Sequence, residues 1–231
     1  MSTGRKVWSI ISPVLIYFLI TVVVATVIEF AAMAVNNYAI YDLDAVTEML
    51  PGLMLIITFV TYIVSLIVFF LIFRKERMMQ GGAEAVLTPK GVIITVAVCL
   101  AVSLVLQFLF AVSQIDKIFP TYDVLVQTTF AGQPVWLLAL SVGVVGPIGE
   151  ELLFRGIIFT RLERYLGTKP AIIISALIFG AVHLNMVQFI YASAVGILFA
   201  YFYSKYRNIR IPILAHIAVN MAGVVLMALG Y

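Results

Sequence analysis

Residues 143–158 read Gly-Val-Val-Gly-Pro-Ile-Gly-Glu-Glu-Leu-Leu-Phe-Arg-Gly-Ile-Ile, and three of them, Glu150, Glu151 and Arg155, are ionisable. The run has no period-two alternation, and it lies inside a longer apolar stretch from Pro134 to Leu166, so it reads as a membrane helix. An ionisable side chain at membrane depth costs about 2.5–3.5 kcal/mol on insertion scales, which marks it as a functional candidate. Glu151 and Arg155 stand four residues apart and share one helix face. A buried guanidinium cannot lose its proton and needs an anion, and Glu151 is the near one. Glu150 points about 100° away and is left for other work. Gly143, Gly146 and Gly149 precede the pair at a spacing of three, as expected where helices approach closely through small residues. Pro147 among them removes a backbone donor and is expected to disturb the helix beside Glu150.

The rest of the chain has the same character. Of 231 residues, 64% are hydrophobic and 11% charged, and the mean hydropathy is +1.15. A soluble domain would carry about a quarter charged residues. The expected fold class is all-α, a polytopic transmembrane helical bundle of seven membrane helices with the active site within the bilayer, because backbone in lipid must satisfy its own hydrogen bonds. The segments are 7–35, 53–73, 91–112, 134–166, 171–184, 186–204 and 211–231. One membrane domain, 1–231, is expected, with three N-terminal helices in 1–112 and the polar-bearing core in 134–231. The first run is longer than the ~7–15 apolar residues of a signal peptide and is read as a retained helix. Cys99, the single cysteine, reads as a small packing residue.

Basic residues set an orientation. Arg5 and Lys6 precede the first segment. Arg74, Lys75, Arg77 and Lys90 follow the second, Arg161, Arg164 and Lys169 the fourth, and Lys205, Arg207 and Arg210 the sixth. The other side carries Lys117 with Asp42, Asp44, Glu48, Asp116 and Asp123. The expectation is a multi-pass protein with a cytoplasmic N-terminus. Trp8, Tyr38, Tyr41, Trp136 and Tyr231 read as interfacial anchors. Glu29 reads as an acid snorkelling to the interface.

Both histidines also lie in apolar runs, His183 four residues after Phe179 and His216 four before Asn220. At a rise of about 1.5 Å per residue, Glu150 lies roughly 16 Å from Arg161, and His183 about 20 Å from Lys169. By the same rise, His216 and Asn220 lie about 9 and 15 Å from Arg210. These polar groups thus occupy one layer. His216 and Asn220 share a face and suit either an oxyanion site or an interhelical clasp. His183 suits either a water held together with Glu150 or a metal ion. Asn185 and Gln188 read as residues of the following turn.

The set Glu150-Glu151-x-x-x-Arg155, Phe179-x-x-x-His183 and His216-x-x-x-Asn220 resembles the three motifs of the CPBP family, the CAAX protease and bacteriocin-processing (Abi) intramembrane proteases. The resemblance covers 135–231. It implies that Glu150 and His183 activate a water and that Glu151 and Arg155 support Glu150. It further implies that His216 and Asn220 form the oxyanion site and that Phe179 packs nearby. The implied activity is that of a CAAX-type intramembrane endopeptidase, with Glu150 as general base and no cofactor firmly required. A zinc-dependent version would use Glu150, His183 and His216 as ligands. No serine or cysteine pairs with a histidine in a nucleophile arrangement. The expected partners are membrane lipids and a hydrophobic, lipidated or leader-type peptide, with no nucleic acid, in a prokaryotic cell membrane. Two further readings compete: a non-enzymatic immunity or scaffold protein, and an ion-coupled transporter, against which the lack of inverted repeats counts.

Overall fold

The computed structural model describes residues 2–36, 43–79, 85–119, 129–130 and 132–229. Tyr38, Tyr41, Asp42, Asp123 and Tyr231, named above, lie outside the described residues. The elements are α1 (Thr3–Val35), α2 (Leu43–Met79), α3 (Pro89–Ser113), the single turn α4 (Ile115–Ile118), α5 (Val135–Leu166), α6 (Thr168–Ala181), α7 (Met186–Tyr206) and α8 (Arg210–Ala228). No strand occurs among the described residues. Among the described residues, six helices are long and apolar enough to cross a membrane, and α6 is a shorter apolar one. With 14 residues, α6 measures roughly 21 Å against ~30 Å of hydrocarbon. The turn after it, rather than the helix itself, carries His183.

Local chemistry explains the ends. Thr88 caps α3 by accepting from the Gly91 N–H at 3.2 Å, and Pro89 occupies the first turn, where its missing donor is harmless. The Asn185 side chain caps α7 by accepting from the N–H groups of Val187 and Gln188. Gln188 is therefore in the first turn of α7 and not in a loop, as its polarity had suggested. Helix α2 begins at Leu43, upstream of Pro51, and runs on to Met79, so it exceeds the purely apolar stretch at both ends.

Helix α5 is the centre of the bundle. Over half of its most apolar window, 56%, is buried, against 11% in α1, whose long apolar face is left for lipid. Every residue from Glu151 to Phe159 is buried. It is not a uniform helix: Ala139–Val145 and Leu152–Phe159 are π-helical and flank the α-helical turn Gly146–Glu151. Wider i→i+5 turns accommodate the donor missing at Pro147 and are frequent at functional sites. Hydroxyls take up loosened carbonyls: Ser141 donates to Leu137 O at 2.7 Å and Thr160 to Arg155 O at 3.1 Å.

The glycines do what their spacing implied. A Cβ at Gly146 would lie 2.8 Å from the Tyr62 ring, and one at Gly156 2.6 Å from Phe73. At Gly149 it would meet the Leu66 backbone at 3.6 Å, while Gly143 faces Met221 of α8. Tyr62, Leu66 and Phe73 all lie on α2, so this row seats α2 along α5.

The basic ends gather on one side of the bundle. Arg161 of α5 donates to Glu76 of α2 at 2.6 and 2.9 Å and to the Ser9 carbonyl of α1. Arg207, after α7, pairs with Glu163 at 2.5 Å, and Asn208 donates to Ala85 O at 2.8 Å. Trp8 and Trp136 are 62% and 68% exposed, as anchors in an interface would be. Cys99 is buried in the packing between α3, α7 and α8.

Candidate active site

The charged pair lies at the middle of α5. Arg155 donates to Glu151 Oε1 at 2.7 Å, and both side chains are fully buried. The guanidinium also donates to Gly196 O of α7 at 3.0 Å. It lies over the rings of Phe179 and Phe199, 4.6 and 5.2 Å from their centroids. A Cβ at Gly196 would stand 3.2 Å from Arg155 Nη2, so the close approach of α7 depends on that glycine. Neither the Gly196 carbonyl nor the Phe199 ring carries a sequence signal for this role, because both come from a helix without ionisable residues at that depth.

His216 bridges the two glutamates. Its Nδ1 lies 2.8 Å from Glu151 Oε1, the same oxygen that Arg155 engages. A carboxylate oxygen accepts from the guanidinium there, so Nδ1 carries the hydrogen and Nε2 is the atom turned to Glu150 Oε2, 3.7 Å away. That separation exceeds a hydrogen bond. The ring stacks on Phe199 at 4.7 Å and meets the edge of Phe179 at 5.6 Å. Glu150 is the more open acid, its side chain 13% exposed against 0% for Glu151.

His183 belongs to the turn that closes α6. Its Nδ1 lies 2.9 Å from Phe179 O, a carbonyl that can only accept, so Nδ1 donates and Nε2 is the nitrogen left for other contacts. Leu184 follows with φ +55°, the left-handed conformation that ends the turn. The sequence placed His183 on the helix itself; the helix stops at Ala181 because the chain turns back into α7. Phe179 touches both histidines, its centroid 5.2 Å from His183 and 5.6 Å from His216. Asn220, one turn beyond His216, donates to Val142 O at 2.9 Å in the first π-helical segment.

Glu150, Glu151, Arg155 and His216 are therefore in one connected group, His183 joins it through Phe179, and Asn220 flanks it. Glu29 is partly buried near the far end of α1. No three His, Cys, Asp or Glu side chains gather closely enough to hold a metal ion among the described residues. Each histidine engages a protein acceptor through Nδ1, which leaves Nε2 as the nitrogen available for other contacts.

The fold and site define a polytopic helical membrane protein with a buried Glu/His/Arg cluster between α5, α6, α7 and α8. Residues 132–222 match the family described as Rce1-like, type II CAAX prenyl endopeptidase. A protein of Bacillus subtilis (strain 168) named "Putative membrane peptidase YdiL" is 39% identical over 88 residues, covering 38% of this chain and 36% of that relative. The region 132–222 is thus similar to CAAX-type endopeptidases, and it contains the three motifs quoted above. The alignment spans little more than a third of the curated relative. No solved structure matches.

Proposed function

We propose that the protein is an intramembrane endopeptidase that hydrolyses a peptide bond by an activated water, with Glu150 as general base. The observation that carries this reading is His216 held between two glutamates, only one of which is bound to Arg155. Arg155 neutralises Glu151 and leaves Glu150 free to take a proton. The Nε2 lone pair of His183 supplies a second acceptor for the water. As the hydroxide adds to the carbonyl carbon, charge moves to its oxygen, where the remaining Asn220 N–H donates, joined by His216 Nε2–H in the form of the ring that carries a hydrogen on each nitrogen throughout the reaction. The proton on Glu150 then passes to the leaving amine as the C–N bond breaks. A hydrophobic, lipidated or leader-type peptide is the substrate class, since the site is enclosed by apolar helices and the relatives' family is named for prenylated tails.

The test is cleavage of quenched fluorescent hydrophobic and prenylated peptides by the purified protein, with Glu150→Gln and His183→Ala beside it and with or without a chelator. Cleavage by the parent alone, unchanged by chelation, is the expected result. Loss on chelation with recovery on zinc would move the reading to a metalloprotease. Retained function in folded Glu150→Gln would move it to a scaffold or immunity role.

A further inference from the structure

Pro13 lies inside α1 and is buried. Proline has no backbone N–H, so the carbonyl four residues earlier, that of Ser9, loses its helical donor. Arg161 of α5 supplies a substitute. It donates through Nη1 to Ser9 O, while Nε and Nη2 hold Glu76 of α2 at 2.9 and 2.6 Å. One guanidinium fork thus fastens α1, α2 and α5 together at the proline break. Just before the break, the Ser9 hydroxyl lies 3.3 Å from the Tyr165 hydroxyl, and Lys6 lies over the Tyr165 ring.

Ile10, Val14 and Tyr17 form one helical stripe and pack on the buried cluster of α2 and α5 that contains Phe69 and Leu153. Among the described residues, none of α1 beyond Tyr17 joins that cluster. Tyr17 also lines a small cavity with Tyr62, Ser65 and Phe69 of α2 and Gly149, Glu150 and Leu153 of α5. The other face of α1 is bare: Leu15, Leu19, Val22 and Val23 are 48–62% exposed. A single helix therefore stands between the Glu150 cavity and lipid on this side.

We infer that α1 is a hinged side wall of the active site, latched at the Pro13 break by Arg161, and that Tyr17 closes the Glu150 cavity against the bilayer. A hydrophobic peptide reaches Glu150 from the bilayer between α1 and α2, displacing the Tyr17 ring. Lipid is as apolar as the helix faces, so a membrane helix is held by packing and polar contacts and not by a hydrophobic drive. Only 11% of the most apolar window of α1 is buried, the least of the six spans. Its polar fastening to α5 lies at the Ser9 end, and a segment with so few buried contacts moves at low cost.

The catalytic meaning of the wall rests on the endopeptidase reading, but the closure is tested without turnover. The full-length protein in phosphatidylcholine liposomes is treated with dicyclohexylcarbodiimide, a lipid-soluble reagent that couples to carboxyl groups. The adduct at Glu150 is followed by mass, with Glu150→Gln marking the site. Maleimide reactivity of Cys99, buried between α3, α7 and α8, reports the fold in the same sample. Tyr17→Ala removes the closing ring and Tyr17→Phe keeps it. Arg161→Lys keeps the charge against Glu76 but lacks the fork that also reaches Ser9 O. Labelling of Glu150 should rise about tenfold or more in Tyr17→Ala, as when an open state populated at about 10% or less becomes the main one. It should rise by a smaller factor in Arg161→Lys and stay unchanged in Tyr17→Phe, with Cys99 silent throughout. Tyr17→Ala should also raise the ratio of kcat/KM for a prenylated peptide to that for its bare counterpart, because the bulkier substrate needs the wall to move further.

Equal labelling in the parent and Tyr17→Ala would overturn the closure. So would an increase shared by Cys99, which would mean a bundle loosened throughout. Unchanged labelling in Arg161→Lys would overturn the latch, and an unchanged peptide ratio the entry route. A parent that cleaves no peptide while labelling follows the expected pattern would defeat the endopeptidase reading and leave the closure standing.

Discussion

Replacing Arg155 by leucine should be among the most damaging single changes in this chain. The side chain is 0% exposed and so is its partner Glu151. Removing one member of a buried ion pair leaves an uncompensated charge and destabilises by about 3–5 kcal/mol. The Gly196 carbonyl, which now accepts from Arg155 at 3.0 Å, would also lose its donor. For a chain of this size, each kcal/mol lowers the unfolding temperature by roughly 2–4 °C, so a fall of roughly 6–20 °C is expected. The double variant Glu151→Leu/Arg155→Leu removes both charges and should be more stable than Arg155→Leu alone. It should still fall short of the parent by about 1–3 kcal/mol, because His216 Nδ1 would be left without its 2.8 Å acceptor. The assay is thermal unfolding in detergent across the four proteins of the cycle, followed by light scattering and intrinsic fluorescence. A drop below about 2 °C for Arg155→Leu would mean that the pair is solvated and contributes as a surface bridge does. A double variant as unstable as the sum of the singles would mean that the two side chains do not interact. Either result would refute the buried site.

Gly180→Ala should destabilise by about 1–3 kcal/mol through overpacking, since a Cβ there would collide with Ser193 Oγ and stand 2.7 Å from the Phe189 carbonyl; unfolding temperature measures it, and an increase would show that α6 and α7 are not in contact there. We propose, from the basic residues gathered at one end, that the N-terminus is cytoplasmic. A cysteine at Ser113 should then react with an impermeant maleimide on intact cells and one at Ser2 only after permeabilisation, with buried Cys99 silent; the reverse pattern would invert the topology.

The sequence alone determined the lipid-compatible helices, because hydropathy and the need for internal backbone hydrogen bonding act on consecutive residues. It also determined the Glu151–Arg155 pair and the face shared by His216 and Asn220, since both are consequences of the α-helical period. Glycine spacing announced that something would pack closely on α5 without saying that it would be Tyr62, Leu66 and Phe73 of α2. Gln188 was misplaced for a related reason: a polar residue near a turn reads as loop until the Asn185 cap is seen to start the helix before it. Only the tertiary structure decided that His216 lies between two glutamates and that Arg155 reaches Gly196 and two aromatic rings. Each of these joins residues dozens of positions apart, and no local period carries them. They follow from how a π-helical, glycine-lined α5 lets its neighbours approach, a property of packed surfaces rather than of any one segment.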